Sequence, residues 1–446
     1  MIFEREIDWR SPIDAFRPLW RSDGSALLHG GECAEAADWS YLLANPVSID
    51  DFEARSVRSP FDHARALLAG RSRDRRALEC GARFASGLFL VAGYETAAFV
   101  EPGVTFPRPP YSIPDCRIAA YDAVAAFDRR RRRAFLLGVN EEAVDALERM
   151  IGEEASLAPS PLDLTFIGAA ISPDQYCVRV ACIMERIRNG DLYQANISQR
   201  LNFEIGAETD SFSIFEAAAA KSVSAFGAFA RFKDATLLSL SPERFFRIDL
   251  GEDGPRILAE PIKGTRPRGV NVDEDARLAA ELIASAKDRA ENIMIADLTR
   301  NDLSKFCKDG SIREDAICAL ETFETVHHLV SRISGALMVG KTAIDALEAM
   351  FPCGSITGAP KVEAMKVIAE IEGEGRGPYC GAIGYIDDGG AADFSVGIRL
   401  AIAQGANLSA PVGGGVTLQS DPHAEYLETI DKARWLLALA GEDVAS

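Results

Sequence analysis

Two carboxylates and an amine share one helical face near the end of this 446-residue chain: Glu425 and Glu428 are three residues apart, and Lys432 follows Glu428 by four. The same spacing also describes a solvated Glu–Lys pair. A third acid stands far away in sequence. Glu291, within RAENIMIADLTRND, lies four residues before Ile295 and seven before Leu298, on an apolar helical side that Leu278 and Leu282 also mark. A lone carboxylate there is heavily desolvated unless it is paired or metal-bound. Arg300 or a neighbouring lysine would supply the pair. Alternatively, Glu291 with Glu428 would hold Mg²⁺, which takes one or two carboxylates plus substrate oxygens and water.

Positive charge gathers in PIKGTRPRG, residues 261–269, where Lys263 leaves a predicted strand into a glycine turn. An amine held there becomes a nucleophile if its surroundings lower its pKa; the plainer reading is a basic turn that binds nothing. Two glycine-rich stretches follow. Residues 354–361, GSITGAPK, run into a helix whose free N–H groups suit a carboxylate or phosphate, but they lack the GxxxxGK[ST] spacing of a nucleotide loop. Gly413, Gly414 and Gly415 form the second. Arg399, on a strand predicted over 393–403, has a guanidinium that would clamp a carboxylate. His327 and His328 precede an apolar strand, and a histidine in that setting is more often a core or cap residue than a catalyst.

The elements that must position these groups are readable in part. Ser172-Pro173 and Asp421-Pro422 each pair an N-cap with proline at the first helical position. Tyr176, Val180, Ile183 and Ile187 give the first of these helices a buried face, and Gly190 closes it. One long helix is predicted over 273–306. Strands are predicted over 84–91, 96–100, 192–203, 236–240, 245–248, 257–262, 332–339, 382–386, 393–403 and 415–419. Without regular βαβ alternation, the mixture predicts an α+β fold of layered antiparallel sheets flanked by helices. The Gly/Ser/Pro-rich segment 151–161 is the expected seam, dividing an N-terminal subdomain over 1–155 from a catalytic domain over 165–440.

Composition sets limits. Apolar residues at 48% allow a large core, and a formal net charge of −19 excludes nucleic acid or an anionic membrane as the main partner. The basic run 129–133 reads as a solvated turn. Nine cysteines, an odd number with no CxxC, fit a reducing cytoplasm. The N-terminus has no apolar signal region, and no run of eighteen apolar residues would span a membrane. An anionic substrate must therefore meet locally supplied cations.

Ten strings resemble the chorismate-utilising enzyme family, to which anthranilate synthase component I belongs. They are GDLYQANISQRL, SPERFF, EPIKGTRPRG, ENIMIADLTRNDLSK, ETVHHLVSRISG, FPCGSITGAPKVEAM, YCGAIGYI, DFSVGIRLA, GGGVTLQSDPHAEYLET and DKA, in family order over 172–440. The N-terminal third matches less: Gly93-Tyr94-Glu95 resembles a family turn, while Leu27-Leu28-His29-Gly30 stands where many members carry a tryptophan-binding Leu-Leu-Glu-Ser. Family members that add water carry a lysine base where this chain has Gln194. Anthranilate synthases usually have alanine where this chain has Lys263. Residues 354–358 are also more similar to the aminodeoxychorismate synthase branch.

That branch implies Mg²⁺ on Glu291 and Glu428, with Glu425 reached through water, against the ring carboxylate of chorismate. Lys263 would attack ring C2 while Glu243 protonates the departing C4 hydroxyl, and ammonia would then add at C4. Arg399, Tyr385 and the backbone of Gly413, Gly414 and Gly415 would bind the enolpyruvyl carboxylate. Gln194, Thr265, Thr357, His328 and Lys432 would lie near the ring or metal. No cysteine sits in a nucleophile elbow with a downstream His-x-Glu, so the resemblance implies a separate glutamine amidotransferase subunit to supply ammonia. An aminodeoxychorismate lyase would follow, leading to 4-aminobenzoate and folate. The alternatives are anthranilate synthase component I, which releases pyruvate itself, and a chorismate-binding paralogue without catalysis.

Overall fold

Strand residues alternate sides with period two, and in the central strands both sides are apolar, so those strands must be covered twice. The computed structural model shows how. It describes residues 2–30, 39–54, 56–71, 78–152, 158–222 and 224–442, so Cys33 and seam residues 153–157 lie outside the described residues. In the first sheet Leu27, Leu42, Ala125, Leu136, Phe229 and Leu238 pack outward beneath helices. Their strand neighbours Ala26, Leu43, Val124, Leu137, Ala228 and Leu237 join a core shared with the second sheet. The fold is thus α+β with layered sheets, and every strand pairing among the described residues is antiparallel.

The first sheet runs in the order Phe3–Ile7, Arg133–Gly138, Ala123–Asp128, Trp39–Leu43, Ala26–His29, Phe226–Arg231, Thr236–Ser241, Leu400–Gln404, Asn407–Val416, Gln194–Ile205 and Gly358–Ala359, with Leu164–Ala169 also on Gln194–Ile205. The second runs Ile262–Pro267, Val326–Ala336, Gly254–Ala259, Arg244–Gly251, Ala392–Val396, Ala382–Asp387, Gly87–Ala92, Cys116–Tyr121 and Ser48–Phe52, with Arg313–Thr322 on Val326–Ala336. Strands from before and after the seam therefore hydrogen-bond to one another in both sheets.

The caps hold as the sequence predicts. Ser172 and Gln175 form a reciprocal capping box on helix Pro173–Arg188. Asp421 accepts from the N–H groups of His423 and Ala424 at the start of helix Pro422–Lys432. Several expectations need correction: the strand over 415–419 ends at Val416, and the one over 257–262 is interrupted after Ala259. The long helix is two, Val272–Ala284 and Ala286–Ser304, because Ser285 is extended and caps the second by accepting from Asp288 N. Residues 96–100 are no strand but part of the 3₁₀ turn Tyr94–Phe99, where buried Glu95 accepts the N–H groups of Arg376 and Gly377 at 2.7 and 2.9 Å. That tertiary demand overrides the local β preference. The strand over 393–403 is also broken: Arg399 sits between Ala392–Val396 and Leu400–Gln404 with φ of +51°. Among the described residues, no helix is long and apolar enough to cross a membrane.

Candidate active site

A cavity of about 620 Å³ opens where the strands Gln194–Ile205 and Asn407–Val416 face the strand Ile262–Pro267 and the helices Ala286–Ser304 and Pro422–Lys432. Its walls bring together Glu243, Lys263, Thr265, Glu291, His328, Arg399, Gly413, Gly415, Glu425, Glu428 and Lys432, groups more than 180 residues apart in sequence.

The acidic wall comes from the two helices. On Pro422–Lys432, Lys432 Nζ lies 2.6 Å from Glu428 Oε1 and donates to Gly413 O at 2.8 Å. This pairing with Lys432 holds the Glu428 carboxyl below its ordinary value. Glu425, one turn earlier, is buried and bonded to Ser420 at 2.6 Å, and burial raises its pKa. Its Oε2 has no hydrogen-bond donor. Across the cavity Glu291 meets Lys287 at 4.0 Å, not Arg300, and burial raises it too. Among the described residues no three acidic, histidine or cysteine side chains already converge as a complete metal-ligand set. A cation here would therefore draw further ligands from substrate and water.

The opposite wall carries the cations and the proton donor. Lys263 and Arg399 line the cavity, and neither forms an ion pair with a described residue. Burial lowers the Arg399 guanidinium, which favours a bound anion as its partner. Asn292 donates to Lys263 O at 3.3 Å and to Leu329 O at 2.9 Å, tying the lysine's strand to helix Ala286–Ser304. Glu243 is 5% exposed; burial raises its pKa, while the Ser355 hydroxyl, donating to Oε1 at 2.8 Å, pulls the other way. His328 bonds Thr265 Oγ1 at 2.8 Å, and burial, then Arg399, push it down to about 4, so it is neutral near pH 7.

The glycines make the room. A Cβ on Gly413 would lie 2.4 Å from Ile197 O and 2.9 Å from the Tyr379 hydroxyl, and one on Gly415 would lie 2.3 Å from Gln194 Nε2 and 3.4 Å from Lys263 Nζ. Gly414 faces the other side, toward Glu425 and Glu428. Gln194 thus stands just behind the wall, beside the lysine.

Two expected groups lie elsewhere. Tyr385 is packed between the sheets, stacked on Phe84 at 4.4 Å and edge-to-face with Tyr41 at 5.3 Å, beside a separate small cavity. Tyr379, six residues earlier, takes the cavity position because the chain turns between the two tyrosines. Thr357 is fully buried and donates to Cys353 O at 2.8 Å, so it supports the wall rather than lining it. Sequence reasoning missed Asn196, Ser355 and Tyr379. Asn196 shares a strand face with Gln194, two residues on, and that alternation was a usable signal.

Residues 32–438 match the family described as chorismate binding enzyme. Aminodeoxychorismate synthase component 1 of Klebsiella aerogenes is 36% identical over 357 residues, covering 79% of this chain and 77% of the relative. An anthranilate synthase component 1 of Haloarcula marismortui is 31% identical over 467 residues, covering 98% and 92%. The crystal structure of anthranilate synthase component I from Streptococcus pneumoniae TIGR4 superposes with a TM-score of 0.78 at 28% identity, covering 90% and 92%.

Proposed function

The chain belongs to the chorismate binding enzyme family, and on that premise we propose that it aminates chorismate at C4 with ammonia, giving 4-amino-4-deoxychorismate. The observation that carries this is the placement of Lys263 and buried Glu243 in one cavity, with Glu243 raised toward the protonated form. A buried carboxyl whose pKa is raised holds its proton more readily than an exposed one, which suits it to a general acid.

In this reading the Lys263 amine bonds to ring C2, the ring double bonds shift, and the C4 hydroxyl departs as water with the Glu243 proton. Ammonia then bonds to C4, the double bonds shift back, and the C2–Lys263 bond breaks. The new ammonium returns its proton to Glu243. Chorismate and ammonia thus yield product and water. Arg399, with Tyr379 and the bare backbone of Gly413 and Gly415, would hold the enolpyruvyl carboxylate. Glu425, Glu428 and Glu291 are oxygen donors of the kind Mg²⁺ takes, and the buried Glu425 Oε2 without a donor supports a cation there. Bound Mg²⁺ would neutralise the ring carboxylate against this acidic wall.

Ammonia would come from a separate glutamine amidotransferase subunit, and a lyase acting afterwards would form 4-aminobenzoate for folate, in the cytoplasm. Anthranilate synthesis is the second reading, favoured by the match to the Haloarcula protein along 98% of the chain. Incubation with chorismate, Mg²⁺ and an ammonium salt, with and without aminodeoxychorismate lyase, decides by product mass. An aminated product that retains the enolpyruvyl group, and gives 4-aminobenzoate only with lyase, is expected; anthranilate would overturn the proposal.

A further inference from the structure

Helix Lys361–Glu372 and strand Ala382–Asp387 are joined by GEGRGPYCG, residues 373–381, a stretch with neither helix nor strand. Gly373, Gly377 and Cys380 all take positive φ there, at +66°, +58° and +62°. Backbone of this kind satisfies few of its own polar groups, so its shape must be set by neighbours. Yet it carries Tyr379 into the cavity. It also holds the segment just before Arg399: Cys380 N–H donates to Gly397 O at 2.7 Å, and Gly397 N–H donates to Gly381 O at 2.8 Å. Both side chains that would clamp the enolpyruvyl carboxylate therefore stand on irregular backbone.

The neighbours that shape this turn come from the other end of the sequence. Glu95 accepts the N–H groups of Arg376 and Gly377 at 2.7 and 2.9 Å. Tyr94 N–H donates to Gly377 O at 2.7 Å, and Gly375 N–H donates to Arg108 O at 3.0 Å. Gly93 permits the approach, since a Cβ there would lie 3.0 Å from Gly377 O. Among these contacts Glu95 is the one made by a side chain, and at 2% exposure it leaves no room for water to replace it. Arg376 passes the constraint on: its guanidinium donates to Asn196 O at 2.7 Å and lies 5.9 Å from the Tyr379 ring centre.

We propose that Glu95 is a positioning residue for chorismate, its carboxyl fixing the turn that presents Tyr379 and supports Arg399. This rests on the reading above, in which those two side chains hold the enolpyruvyl carboxylate. Glutamine at 95 keeps the size but offers one acceptor in place of two, because its amide NH₂ meets a backbone N–H head-on. The turn then loses one of its fixed points. Lys263 and the acidic wall stand on other elements and keep their places.

The test is steady-state kinetics of the full chain with chorismate, Mg²⁺ and ammonium chloride at fixed pH. The variants are Glu95→Gln, Tyr379→Phe, the two combined, and Arg399→Ala, with circular dichroism checking each fold. Glu95→Gln should raise the chorismate KM about three- to tenfold, while the ammonia KM and the Mg²⁺ half-saturation stay within about twofold. The combined variant should raise it by less than the product of the single effects, because both changes act on one contact. A merely structural Glu95 would lower the amount of active enzyme, and so the apparent kcat, with the chorismate KM unmoved. That outcome, or single effects that multiply in full, overturns the proposal. If Tyr379→Phe and Arg399→Ala also leave the chorismate KM unmoved, the carboxylate reading falls with it.

Discussion

The hydroxyl of Ser355 donates to Glu243 Oε1 over 2.8 Å, and Cys353 Sγ lies 3.3 Å from the same hydroxyl, so a short polar chain ends on a buried carboxyl at the cavity wall. Burial raises Glu243, while Ser355, Lys263, the Ile262 N–H and Lys432 oppose it. Deleting the hydroxyl removes a bond that favours the ionised form, so Ser355→Ala should raise the Glu243 pKa further. Because the acid must be protonated to act, the alkaline limb of the pH–kcat/KM profile should move upward. A limb that stays put or falls counts against the bond's role.

Lys263→Ala should lower turnover by at least about 100-fold or divert the product, since no other cavity amine lies on that strand. Product mass and initial rate are the readouts. An unchanged rate and product would remove the nucleophile assignment. Glu243→Gln should cost roughly 100- to 10,000-fold, in the range of a lost general acid.

Glu428→Gln should raise the free Mg²⁺ needed for half-maximal turnover by about tenfold or more, equivalent to ~1.4 kcal/mol of lost affinity. Chelation of the parent should abolish turnover and added Mg²⁺ restore it. A metal titration that overlays that of the parent would place the cation, if any, elsewhere.

Arg376 is buried, donates to both oxygens of buried Glu372, and lies 4.7 Å over the Tyr94 ring. Arg376→Ala leaves an uncompensated buried carboxylate and should destabilise the chain by about 3–5 kcal/mol. Its melting temperature should fall clearly below that of the parent. A fall no larger than that of an exposed-pair variant such as Arg434→Ala would contradict this.

Burial pushes the Glu95 carboxyl up to about 8. The folded chain then keeps a proton that the unfolded chain releases above the ordinary glutamate value near 4.5. Between those two pH values the unfolded state binds fewer protons, so stability falls as pH rises, at up to ~1.4 kcal/mol per pH unit. Glu95→Gln should flatten that part of the profile, whatever it does to absolute stability. Urea midpoints at pH 6 and pH 8 measure it; an unaltered slope would refute the assignment.

Local chemistry carries the sequence reading furthest. The caps at Ser172 and Asp421 and the three- and four-residue steps from Glu425 to Lys432 depend on contacts within one turn, and they stand where their spacing puts them. Tyr385 fails for the opposite reason. It and Tyr379 share one motif, and only the turn before strand Ala382–Asp387 and its pairing with Gly87–Ala92 decide which ring reaches the cavity. Arg399 reached the cavity by a different route, from a left-handed residue between strands rather than from a strand face. The break at Ser285 was legible in principle, since serine three residues before Asp288 is a capping pattern, but apolar periodicity runs through it. Asn196 was legible only as a strand-face neighbour of Gln194, two residues away; that its side-chain oxygen lacks a donor depends on neighbours from distant parts of the chain.

The interleaving of early and late strands has a further consequence for anyone who would shorten this enzyme. Cutting near residue 160 would not free a catalytic half. It would strip Ala26–His29 from Phe226–Arg231 and Gly87–Ala92 from Ala382–Asp387, baring long apolar borders on both fragments. Such borders recruit other chains, so each fragment alone should clump, and co-expression of the two pieces is the arrangement in which they would mend each other.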